Sequence, residues 1–184
     1  MKDLKKTILK GERIILRPIK LSDAKDYVLW FKDKEVVHYL GNKLLNIKEA
    51  DVKKYISSTN KDKDQLLFAI IAEDGKHIGN TALRFAKDDK RAGLGLAIGD
   101  KEYWGKGYAG EILSLLGDFV FKKLKFERFD LVVFSQNKRA FKAYKKIGFK
   151  KEGTLRNYTW NWIDKEIQDE CVMSILKSEW KNKK

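Results

Sequence analysis

The stretch "EYWGKGYAGEIL", residues 102–113, restricts what this chain can fold into more than any other. Glycines at 105, 107 and 110 run directly into a helix beginning at Tyr108. The N–H groups of residues 105–110 then converge with the positive end of a helix dipole, an arrangement that stabilises an anion. Glycine lets backbone come close to a guest, and Lys106 adds a charge. A pyrophosphate is the natural guest. The competing reading is a sharp strand-to-helix turn with no ligand.

The spacing is a literal G-x-G-x-x-G, yet it does not meet the demands of a dinucleotide site. Such a site needs the first glycine directly off a strand and an acid at the exit of the next strand, to hold a ribose. Here Asp100–Trp104 intervene, and Asp130 stands at the entrance of "LVVF" instead of its exit. The strands upstream are joined as hairpins and not as a βαβ unit.

Periodicity supplies the remaining elements. "ERIILRPI" (12–19) alternates and is β-branched, and so reads as a strand ended by Pro18. A helix over 22–31 is expected from Ser22 as N-cap, with Ala24, Tyr27, Val28 and Phe31 on one face. A second, over 46–56, has Asn46 as cap, Glu49 completing a capping box, and Ile47, Ala50, Tyr55 and Ile56 inward. Strands at 66–73 and 76–85 flank Asp74–Gly75, a two-residue hairpin signal, and 92–99 adds a third. After the glycine turn come a helix (111–124), an apolar strand (129–135) and a helix (137–149) capped by Asn137 and stopped by Gly148. Strands near 149–156 and 167–176 finish a mixed sheet with helices on it.

A chain of 184 residues with 43% hydrophobic and 12% aromatic residues fits one globular domain, its core spanning about 11–180. The segment 181–184 reads as a frayed basic tail. No apolar run is long enough to cross a membrane, and "MKDLKKTILKGER" is too charged for a signal peptide. Cys171 is the sole cysteine, and no Cys/His spacing suggests zinc, so a reducing, cytoplasmic setting without a metal is expected. The formal net charge of +14 favours polyanions and phosphorylated ligands, but the basic residues are dispersed. No nucleic-acid motif stands out, so RNA binding or proximity to the ribosome rests on charge alone.

Two motifs carry a family resemblance. "WGKGYA" resembles the Q/R-x-x-G-x-G/A pyrophosphate loop of the GNAT superfamily of acetyl-CoA-dependent N-acetyltransferases. "NKRAFKAYKKIGF" resembles that family's N-x-x-A-x-x-x-Y-x-K-x-G-F segment, matched at Asn137, Ala140, Tyr144, Lys146, Gly148 and Phe149. The phrases "GERIILRPI", "EYWGKGYA", "KKEGTLR" and "CVMSILKSEW" look most like the branch that acetylates ribosomal-protein N-termini. That branch shades into acetyltransferases of polyamines, aminoglycosides and amino sugars.

The resemblance implies an α/β (α+β) fold of one domain: a mixed, mostly antiparallel twisted sheet with splayed central strands and flanking helices. It implies acetyl-CoA as co-substrate and an amine acceptor, either a protein N-terminus or a small molecule; monomer or homodimer is left open. The diphosphate would sit on Gly105, Lys106, Gly107, Tyr108, Ala109 and Gly110, with Lys146 nearby. The pantetheine would lie along Leu96, Ala97 and Ile98, one of whose N–H groups also holds the thioester oxygen. Asn137 would bond the pantetheine, although an ordinary helix cap explains it equally well. Tyr144 would protonate the leaving sulfur, although Ala140, Phe141, Tyr144 and Ile147 also make an apolar stripe that suits a core residue.

Trp104 stands where the family pattern has Gln or Arg, which leaves the backbone cradle intact. The glutamate often used as base corresponds here to Gly93. The base is therefore open, and a non-catalytic CoA sensor becomes an alternative. Losing that glutamate favours an α-amine, whose pKa of ~7.7–8.0 leaves more neutral amine than a lysine at ~10.4. Asp100 and Glu102 are fallback bases. Cys171 reads as packing, and His38 and His77 have no evident partners. Tyr158, Trp160 and Trp162 either wall the acceptor pocket, formed by 22–56 and a late loop 156–166, or pack on the sheet.

Overall fold

Alternating and β-branched segments pair into one eight-stranded sheet. A computed structural model of the chain describes residues 2–41 and 43–180, so the tail expected over 181–184 lies outside the described residues. The strands are β1 (Leu9–Lys10), β2 (Ile14–Pro18), β3 (Gln65–Ala72), β4 (His77–Ala86), β5 (Arg91–Ile98), β6 (Arg128–Phe134), β7 (Lys150–Asn161) and β8 (Glu166–Leu176). Their spatial order is β1-β2-β3-β4-β5-β6-β8-β7, antiparallel throughout except for β5 beside β6.

The helices are α1 (Ala24–Trp30), α2 (Lys34–Val37), α3 (Glu49–Lys61), α4 (Tyr108–Asp118, continued by a π-helical turn over Phe119–Lys123) and α5 (Lys138–Ile147). Strand alternation sends Phe68, Leu83 and Phe129 to one face, where α4 and α5 cover them with Ile112, Leu116 and Tyr144. Leu67, Ala69 and Ala82 point to the other face, against Tyr27, Phe31, Val52 and Ile56 of α1 and α3. The mixed, mostly antiparallel sheet with flanking helices is the architecture that the two motifs implied.

Local expectations fared unevenly. The 74–75 hairpin forms, with Gly75 at φ 82°. Ser22 is not the cap of α1: the carboxylate of Asp23 accepts from the Lys20 N–H at 2.7 Å and from Arg17 Nη1 and Nη2 at 2.7 and 2.8 Å. Asn46 is not the cap of α3, which begins at Glu49; Asn46 takes φ 60°, and its N–H donates to the Phe31 carbonyl at 2.9 Å. The buried stripe is then Val52, Ile56 and Thr59, while Ala50 and Tyr55 are exposed. The loop expected over 156–166 is mostly strand, because β7 continues pairing to Asn161 through a register shift between Leu155 and Thr159.

The position of the cleft is set where β5 meets β6. They pair at Arg91↔Arg128, Ala92↔Phe129 and Gly93↔Asp130, then splay. Charged groups clamp the closed end. Asp130 Oδ2 accepts from Arg128 Nε at 2.9 Å and from Arg91 Nη1 at 3.4 Å. Glu152 on β7 accepts from both terminal nitrogens of Arg128 and, at 2.6 Å, from the Ser174 hydroxyl.

The guanidinium of Arg128, aided by Ser174, holds the Glu152 carboxyl down to about 2. A folded-state value below the ordinary ~4.3 gives stability that is present above that value and lost as pH falls toward the folded one. The melting-temperature gap between wild type and Glu152→Gln is therefore expected to close between about pH 4.5 and pH 2. A gap constant over that window contradicts the clamp.

Candidate active site

The open ends of β5 and β6 border a cavity of about 1380 Å³, lined by Leu94–Ile98 on one side and Val132–Phe134 on the other. Gly105, Gly107, Tyr108, Ala109, Gly110, Asn137, Tyr144 and Lys146 line the same cavity. Of the residues expected to hold the co-substrate or to donate the proton, all except Lys106 thus border one cavity.

The glycine turn stands at its mouth. Gly105 and Gly107 have φ values of 75° and 87°, the left-handed region where a Cβ is strained. Gly107 is the N-cap of α4. The N–H groups of Gly105, Lys106, Gly107, Tyr108 and Ala109 find no acceptor among the described residues. The Gly110 N–H is not part of this set, because it donates to the Gly107 carbonyl at 3.0 Å. Lys106 turns away: its carbonyl accepts from Arg13 Nη1 at 3.2 Å, and its ammonium lies 5.9 Å from the Tyr103 ring centroid.

Arg13 fixes the turn from outside. Its N–H and Nε bond Glu111 at 2.7 and 3.2 Å, and its guanidinium lies 4.6 Å over the Tyr108 ring. Glu111, the acid in the first turn of α4, is thereby engaged by a cation. The free N–H groups at a helix start form a donor set suited to a diphosphate.

Along the walls, the Ile98 carbonyl already accepts from the Trp104 indole at 2.7 Å. Asn137 is the helix cap it was expected to be: its Oδ1 accepts from the Ala140 N–H at 3.1 Å, and it also borders the cavity. Arg139, in the first turn of α5, lies 3.5 Å over the Trp104 ring and so ties α5 to the glycine turn. Tyr144 combines core packing with a place on the cavity wall. It is 8% exposed and packs on Phe149, yet it borders the cavity and its hydroxyl has no hydrogen-bond partner among the described residues. Burial pushes its phenol up to about 12.

Gly93, which corresponds to the family's usual glutamate, lies away from the cavity. It sits in the clamped end, where a Cβ would come 3.6 Å from Asp130 Oδ1. A carboxylate there would face another carboxylate. Asp100 and Glu102 are outside the cavity too, sharing Lys76 at 2.8 and 3.2 Å.

Sequence reading missed Glu170, a buried carboxylate on β8 that borders the cavity. Burial raises its pKa, against the opposing hydrogen bond with Thr159. The available signal was an acid set among the apolar residues of "ECVMSIL".

Other tempting residues are accounted for. Cys171 is buried in the core, 3.2 Å from Ser135 Oγ. His38 Nε2 lies 2.8 Å from Asp164, and His77 bridges Asp26 at 2.6 Å and the Gly79 carbonyl at 2.9 Å. Asp23, Asp26 and His77 have ligand-type atoms within 4.8 Å of one another, but the Asp23 oxygens are held by Arg17. Tyr158, Trp160 and Trp162 are 60%, 43% and 45% exposed and do not wall the cavity. Among the described residues no helix is long and apolar enough to cross a membrane.

Comparison with known proteins agrees with this geometry. Residues 13–150 match the family model described as the acetyltransferase (GNAT) domain. An uncharacterized N-acetyltransferase of Bacillus subtilis, YoaA, is 32% identical over 176 residues, covering 92% of this chain and 97% of that protein. The spermidine N-acetyltransferase of Vibrio cholerae, solved with CoA and spermine, superposes with a TM-score of 0.82 at 21% identity, covering 91% of this chain and 98% of that one. The ribosomal-protein-S5-alanine acetyltransferase of Vibrio fischeri gives 0.79 at 20% identity, covering 95% and 99%. The chain belongs to the GNAT acetyltransferase family and is an acetyl-CoA-dependent N-acetyltransferase.

Proposed function

We propose that the protein, acting as one domain, moves the acetyl group of acetyl-CoA to a primary amine by direct attack in the cleft between β5 and β6, with Tyr144 as proton donor. The observation that carries this reading is the run of unpaired N–H groups from Gly105 to Ala109 at the mouth of a cavity that Tyr144 also borders. On this reading Gly105, Gly107, Tyr108 and Ala109 hold the diphosphate through backbone N–H groups. Gly110 shapes the turn, while Lys106 and Lys146 contribute charge. Asn137 spends its Oδ1 on the helix cap and keeps its Nδ2 for the pantetheine.

The amine nitrogen attacks the thioester carbon, and the carbonyl oxygen becomes an oxyanion facing one of the N–H groups of Leu96–Ile98. The C–S bond then breaks, and the sulfur takes the Tyr144 hydroxyl proton. A phenol raised to about 12 keeps its proton at rest. The same desolvation raises the proton affinity of the departing sulfur, so transfer accompanies cleavage.

Among similar folds, one relative acts on a ribosomal-protein alanine and another on spermidine, so a protein N-terminal α-amine and a small amine are the two acceptor classes to test. The CoA-sensor alternative depended on the glycine at 93, which lies outside the cavity.

Calorimetry with CoA and with NAD tests the cradle, and mass-detected acetyl transfer to alanine- or serine-starting peptides, spermidine and an aminoglycoside tests the chemistry. CoA is expected to bind at least about tenfold tighter than NAD, a difference of about 1.4 kcal/mol. Equal affinities end this reading.

A further inference from the structure

The register of β8 gives the cleft a proton acceptor on the face opposite Tyr144. Glu170 pairs across β6 with Phe134, so the two side chains share a face. Phe134 meets Tyr39, beyond α2, at 5.8 Å between ring centroids, which identifies that face as the one covered by α1–α3. Tyr144 reaches the cavity from α5, on the other face. An amine entering from the α1–α3 side and a sulfur leaving on the α5 side thus each meet one titratable group.

Charge pairing separates Glu170 from the other carboxylates of the cavity. Glu111 is engaged by Arg13, Glu35 by Lys101, and Glu12 is solvent-exposed. Glu170 is 9% exposed and has no cation among the described residues; its neighbour is the Thr159 hydroxyl. A buried carboxylate without a cation is costly unless a ligand supplies one. A primary ammonium, with three donors and no acceptor, answers that need.

Phe134, which shares the face of Glu170, and the apolar Tyr39, Leu40 and Val132 border the same cavity, with Lys43 as a cation on the lining. Across the cleft, the Tyr27 hydroxyl and Asn80 Oδ1 are buried without hydrogen-bond partners among the described residues, and both residues border the same cavity. They call for a neutral hydrogen-bonding group and not for a second charge.

We infer that Glu170 is the general base of the transfer, and that the acceptor is a primary amine carrying a single positive charge on a largely apolar stem. The inference rests on the acetyltransfer reading above. In the step it adds, the ammonium gives one proton to the Glu170 carboxylate and the freed lone pair forms the new C–N bond. Carbon–sulfur cleavage sends its electron pair to sulfur, which takes the Tyr144 proton. The second nitrogen proton restores the tyrosine through solvent.

The test uses the full chain and acetyl-CoA at pH 7, with 2-phenylethylamine, its less basic 2,2-difluoro analogue, an alanine-starting peptide and spermidine. Glu170→Gln is expected to lower kcat on 2-phenylethylamine by about 10²–10⁴-fold and on the difluoro amine by less than about tenfold, because the latter is already largely neutral. Glu170→Asp, which keeps the charge but retracts it, is expected to fall between. CoA affinity of both variants stays at the wild-type value, which a collapsed cleft would not allow.

Equal losses on the two amines, or none, overturn the assignment of the base. Spermidine outperforming both single-charge acceptors overturns the acceptor class. Comparing the peptide with the free amine tells an N-terminal α-amine from a small molecule. A wild-type protein that acetylates nothing fells the parent reading as well, whereas one that turns over while Glu170→Gln matches it fells this inference alone.

Discussion

Tyr144→Phe is expected to lower kcat by about 10²–10⁴-fold while leaving the affinity for CoA unchanged. The substitution removes one oxygen from a side chain that is 8% exposed and packs its ring on Phe149, so the apolar contacts survive. The hydroxyl has no hydrogen-bond partner among the described residues, so its removal orphans no other group and stability is preserved. On the proposed mechanism, what disappears is the proton for the departing sulfur. Single-turnover acetyl transfer, with CoA titration as the control, separates the two effects. A variant that turns over at the wild-type rate would leave Tyr144 as core packing and nothing more.

Phe129→Ala is expected to have the largest effect on stability. Phe129 is completely buried on β6, with ring centroids of Phe121 and Phe149 at 6.4 and 5.4 Å. Truncating such a side chain costs about 3–5 kcal/mol, from lost transfer energy and the cavity left behind. Against a usual total of about 5–15 kcal/mol, that is a large fraction. At about 2–4 °C per kcal/mol for a chain of this size, the melting temperature should fall by about 6–20 °C. Phe129 also pairs with Ala92 in the short parallel contact between β5 and β6, so the loss should loosen the base of the cleft. A shift under about 3 °C would mean that the neighbouring rings close the gap.

The glycine turn and the Asn137 helix were legible because local chemistry specifies them. Left-handed glycines, a capping carboxamide and a terminating Gly148 act within a few residues of themselves. The succession of strands and helices along the chain was legible for the same reason, from hairpin and helix signals.

What could not be read depends on pairing between distant segments. Glu170 faces the cavity because β8 takes a particular register beside β6, and a one-residue slip would turn it to the opposite face. That position 93, a glycine, lies away from the cavity was hidden on the same ground: which end of β5 is closed depends on Asp130 and Arg128, far along the chain. Ser22 and Asn46 were plausible caps by residue type. The carboxylate of Asp23 and the left-handed Asn46 decided otherwise, through contacts with Arg17 and Phe31.

The divergence of β5 from β6 also bears on how the protein fares without its co-substrate. Two strand borders, which most folds keep at the rim, here stand in the middle of the sheet with their hydrogen-bonding groups turned toward a gap. A guest that fills the gap knits the two halves into a continuous unit, and its binding energy adds to the folding energy in proportion to the logarithm of its concentration. On the proposed reading, in which acetyl-CoA is that guest, the persistence of the protein would be tied to the supply of acyl thioester, and scarcity would first be felt as fragility and only then as slower catalysis.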